Sequence, residues 1–64
     1  MNKKNAAAIR YGIEFGRHLA YDVLYRGVDQ PLAMKILTYE PVNAQTRAAR
    51  RTFARIILNA RSGD

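Results

Sequence analysis

The chain has 64 residues, no cysteine and a formal charge of +6, from eleven Lys and Arg against five Asp and Glu. That length predicts one domain with a modest core, and the missing cysteines remove disulfides and thiolate metal sites as ways to staple it. His18 is the one histidine and has no short cluster of carboxylates beside it, so neither a metal nor any other cofactor is expected. The predicted fold is all-α: a small three-helix domain of one long helix, one short helix and one long basic helix. Dimerisation is the remaining way to complete its core if the monomer's is too thin.

Residues 1–5 read as a flexible polar tail. From about residue 6 to 26 the apolar positions recur with helical period, filling roughly half the circumference with Ala8, Ile9, Ile13, Phe15, Leu19, Ala20, Val23 and Leu24. Asn5 is the expected N-cap and Gly27 the expected stop. Arg10, Glu14, Arg17, His18 and Asp22 occupy the other side, with Tyr11, Tyr21 and Tyr25 among them. The charges interrupt any leader-like apolar run, and no stretch approaches the roughly 20 apolar residues of a membrane span. The expectation is therefore a soluble, cytoplasmic protein.

Gly12, Gly16 and Ala20 form a row of small residues one turn apart. Two glycines inside a helix cost about 1 kcal/mol each relative to alanine, so the row predicts close approach of another helix. The last helix of the same chain or a second copy would fill it. Tyr21 and Phe53 are the further candidates for helix packing or a dimer interface.

Asp29 followed by Pro31 predicts an N-cap and a helix start, because proline's missing amide proton has no duty in the first turn. Leu32, Ala33, Met34, Ile36 and Leu37 continue to about Tyr39, and Met34 is expected to fill irregular core space. Residues 35–39 also have β character, which leaves an intermolecular two-stranded ribbon as the alternative. Pro41 closes the segment by pushing Glu40 out of helical geometry.

Asn43 is the expected N-cap of a third helix over about residues 44–60, with residues 62–64 as a frayed end. Thr46, Ala49, Phe53, Ile56, Ile57 and Ala60 share one face; Phe53, Ile56 and Ile57 are the anchors expected to meet Ile9, Ile13, Leu19 and Val23. Arg47, Arg51 and Arg55 recur every four residues on the opposite face, near Leu58, and Arg50 and Arg61 flank the apolar side. Residues 1–40 carry six basic against four acidic side chains, whereas residues 41–64 carry five arginines against Asp64 alone. Arginines four apart repel one another, so stability gives no reason for that row, while an anionic partner does.

Three readings of it compete. DNA or structured RNA rewards a row of cations through its phosphates; an acidic protein surface is steered by the same field; solvent needs no partner. If α-helical reading of DNA is the mechanism, Asn43, Gln45, Thr46, Arg47 and Arg50 are the candidates for base edges, and Arg51, Arg55 and Arg61 for phosphates. The expected function is a small non-enzymatic nucleic-acid-binding protein using its arginine-rich last helix. The alternative is a regulatory or adaptor protein docking on an acidic surface of a larger protein. Catalysis is not expected: His18 has only Asp22 one turn away, read as a surface i,i+4 pair, and no nucleophile or phosphate loop accompanies it. The tyrosines read as interface or rim residues rather than base-stacking platforms. Cationic amphipathic helices also suit a membrane surface, but arginines opposite bulky apolar residues fit helices that bury one another.

Overall fold

The computed structural model describes residues 3–63, and the side chains of residues 5–63. It is all-helical, with α1 over Lys3–Tyr25, α2 over Gln30–Tyr39 and α3 over Ala44–Ser62. No strand occurs among the described residues, and residues 35–39 are helical.

Helix α1 starts earlier than the apolar pattern indicates, because polar residues extend a helix without leaving an apolar signature. Asn5 consequently lies inside α1 and not at its cap. Met1, Asn2 and Asp64 of the expected tails lie outside the described residues. At the other end Gly27 adopts φ 76°, a left-handed conformation that stops the helix without a Cβ penalty. The amides of Arg26 and Val28 both donate to the Asp22 carbonyl, at 3.0 and 3.1 Å, which satisfies that end. The Asp29 carboxylate then accepts from the Leu32 amide at 3.2 Å and caps α2, with Pro31 in the first turn. Glu40 is extended ahead of Pro41.

The start of α3 is a capping box. The Asn43 side-chain oxygen accepts from the Thr46 amide, and the Thr46 hydroxyl oxygen accepts from the Asn43 amide, both at 2.8 Å. Ser62 is helical and Gly63 is the C-cap, so the helix runs two residues past the expected limit at Ala60, into the segment expected to fray.

The small-residue row sets the packing. A Cβ built on Gly12 would lie 2.1 Å from the Gln45 carbonyl oxygen, and one on Gly16 would lie 2.3 Å from that of Ala49. The backbones of α1 and α3 are therefore in direct contact, and the row is filled from within the chain. Four residues along α1 match four along α3 in the same sense, so these two helices run parallel. α2 returns antiparallel, with its start near Arg61 and its end near Arg50.

Leu19, Ala20, Ala33, Leu37, Ala49, Phe53 and Ile57 are buried, and Val23, Leu24, Val28 and Ile56 pack against them. Phe53 and Ile57 thus anchor α3 from its buried face, with Ile56 half-buried beside them. The apolar arc expected of α1 is wider than its buried face: Ile13 is 42% exposed and Ile9 only half-buried. With three alanines in so small a core, little volume is available to cover the arc's edges. Met34 is an exposed residue and not core filler, because it points away from the Ala33–Leu37 edge of α2. Leu58 is also exposed.

Candidate nucleic-acid interface

Helix α3 is built from AQTRAARRTFARIILNARS, with five arginines and no carboxylate. Ala49, Phe53 and Ile57 face the core, which places residues two positions away from each of them on the outside of the helix. Arg47, Arg51 and Arg55 hold those positions and are exposed. Each step of four advances about 6 Å along the axis, so the row spans about 12 Å. Among the described residues, none of the three makes a side-chain hydrogen bond or ion pair.

The cations of α1 are arranged differently. Arg17 Nη2 donates to Glu14 Oε1 at 2.5 Å, and this bond holds the guanidinium pKa above its ordinary value. Arg26 sits 3.7 Å from Asp22, and His18 Nε2 lies 3.8 Å from Glu14. His18 therefore lies beside the carboxylate one turn before it, while the expected partner, Asp22, faces Arg26. Glu14 and Asp22 thus offset Arg17 and Arg26, whereas Arg10 pairs with no acid among the described residues; α3 has no acid at all.

The remaining candidates have structural employment. Arg50 is half-buried, and its guanidinium donates from Nε to the Leu37 carbonyl and from Nη2 to the Glu40 carbonyl, both at 3.0 Å. Those are carbonyls at the C-terminal end of α2, where helix carbonyls lack intrahelical donors and the dipole favours a cation. Arg61 donates to Gln30 Oε1 at the opposite end of α2. These two arginines clamp α2 against α3, one at each end. Asn43 and Thr46 are committed to the capping box, and the Thr46 hydroxyl also donates to the Pro41 carbonyl at 3.0 Å. Of the expected base-edge candidates near the start of α3, Gln45 and Arg47 have exposed side chains outside this network.

Two grooves flank α2. The larger, about 500 Å³, is lined by Gly12, Phe15, Ile36, Leu37, Tyr39 and Ala49 among others. The second, about 390 Å³, runs past Met34, Phe53, Ile57 and Leu58. Phe15 is 46% and Tyr39 86% exposed. No motif in the sequence marks this surface. The signal was the number of bulky apolar residues on α2, more than a ten-residue helix can turn towards one core. Tyr21 and Tyr25 pack on each other with ring centroids 6.0 Å apart on the outside of α1.

Among the described residues, no helix is long and apolar enough to cross a membrane, and no three His, Asp or Glu gather as a metal site. No protein-family model matches the chain, and neither a curated protein nor a solved structure matches it significantly. The functional reading accordingly stands on the side chains.

Proposed function

We propose that this protein is a small, non-enzymatic nucleic-acid-binding protein of the cytoplasm that contacts phosphates through the outer face of α3. The observation that carries the reading is the row Arg47, Arg51 and Arg55, exposed and unpaired among the described residues, on a helix without a carboxylate. A helix selected for stability alone would relieve i,i+4 repulsion with Glu or Asp. Arginine's planar fork suits phosphate oxygens, and neutralising phosphates releases condensed counterions.

The test is the triple variant Arg47→Gln, Arg51→Gln, Arg55→Gln, assayed with duplex DNA and duplex RNA near 0.1 M salt. Losing three phosphate contacts should lower affinity on the order of 100-fold, with circular dichroism unchanged because the three side chains support nothing in the fold. Unchanged affinity in a folded variant overturns the proposal.

The groove beside Phe15, Ile36 and Tyr39 favours a second reading, docking on a larger protein, since exposed apolar surface of this kind marks interaction sites. A stoichiometric protein partner that survives nuclease treatment and is lost on Tyr39→Ala would support it.

A further inference from the structure

We infer that the α3 face, if it binds nucleic acid as proposed above, binds duplex backbone side-on and does not read sequence. The inference rests on that proposal and adds how the site engages its ligand.

Helical readers of the major groove present the N-terminal residues of the recognition helix to base edges. Here that end is withdrawn. Gly12 lies against Gln45, the second residue of α3, while α1 begins nine residues before Gly12. The first turns of α1 therefore project about 12 Å past the start of α3. A duplex approaching α3 end-on meets this overhang first, whereas the lateral face of α3 is open.

Two of the polar side chains at that end are also committed, and a third, Gln45, is exposed beside α1 in the groove lined by Gly12 and not on the outer face. Asn43 and Thr46 satisfy each other's backbone amides, and the Thr46 hydroxyl is further bound to the Pro41 carbonyl. Arg50, whose guanidinium would suit guanine, is held by two carbonyls of α2. Using any of them for base contacts would uncap α3 or release the end of α2. What the outer face offers a nucleic acid is three guanidinium groups at about 6 Å intervals, with the apolar Leu58 exposed beside them, a set that positions a protein on phosphates without sequence information.

The same face argues for a duplex over a single strand. Binding of single strands combines a basic track with aromatic platforms that stack bases. The tyrosines lie on α1 and α2, and Phe53, the one aromatic of α3, is 2% exposed in the core. A row of cations evenly spaced along a helix, without a stacking surface, matches the regular phosphate array of a double helix.

The experiment is selection by the full chain from a pool of DNA duplexes with a randomised core, alongside a length-matched RNA duplex and single strand. The bound DNA should keep the input base composition within about twofold at every position. Gln45→Ala should leave that profile unchanged, and duplex should be retained better than the single strand. One good base contact discriminates by roughly 5- to 150-fold, so enrichment of a motif in that range overturns the inference, as does preference for the single strand. Either result would leave the underlying proposal standing. Failure of the wild-type chain to retain any nucleic acid would instead remove the proposal and this inference together. Retention of only the DNA or only the RNA duplex, without sequence preference, supports the inference and identifies the source of the phosphates.

Discussion

At the residue scale, the two interior glycines of α1 are the tightest constraint in the molecule. Alanine at position 16 would gain about 1 kcal/mol of helix propensity, yet its Cβ would fall 2.3 Å from a backbone oxygen of α3. A flexible side chain can swing aside; a helix backbone must move as a unit. We expect Gly16→Ala to be a net destabilisation of about 1–3 kcal/mol, the range for overpacking, measured by urea unfolding. A stabilised Gly16→Ala protein would show that α1 and α3 are not in backbone contact. This close approach is also where residue type spoke plainly in the sequence: Gly12, Gly16 and Ala20 announced a neighbouring backbone. They did not announce whose backbone, because spacing records the gap and not its occupant.

At the scale of elements, punctuation was legible and docking was not. Asp29 with Pro31, Asn43 and Gly27 act on amides and carbonyls a few residues away, so their roles follow from local chemistry, and the helix limits lie within three residues of expectation. Lys3 and Lys4 show the limit of that logic, since a polar extension of a helix has no periodicity to read. Arg50 shows another. It reads as a fifth member of a cationic set, but its two acceptors lie 13 and 10 residues earlier, in the last turn of α2 and at its C-cap, a relation that only tertiary structure creates. Arg50→Gln should lower stability by about 1–2 kcal/mol through loss of charge-assisted hydrogen bonds, with hydrogen exchange accelerating at the end of α2. Nucleic-acid affinity should change by no more than about twofold. A loss matching that of Arg51→Gln, without loss of stability, would return Arg50 to the binding face.

At the scale of the whole molecule, the division of labour among charges is the main result. The two acids of α1 are paired with Arg17 and Arg26, two arginines of α3 clamp α2, and three arginines of α3 are left to solvent. A basic net charge alone would have predicted a diffuse attraction to any anion. The structure lines up three of its free cations on one side of one helix, in a body of 38 × 24 × 15 Å, with Arg10 and Lys35 exposed singly on the other two helices. The apolar surface was less legible for a related reason: a helical wheel counts apolar positions but not the volume available to cover them. Ile13, Met34 and Tyr39 were therefore left outside a core too small to take them.

The most direct test of the central claim is the salt dependence of duplex binding. Three phosphate contacts predict a slope of log K against log salt of about −2.7 for B-DNA, and each single Arg→Gln at 47, 51 or 55 should reduce its magnitude by about 0.9. Fluorescence anisotropy between 50 and 200 mM salt should show that stepwise decline, with no change of slope for Arg61→Gln. A slope near zero, or one untouched by all three outer substitutions, would contradict it.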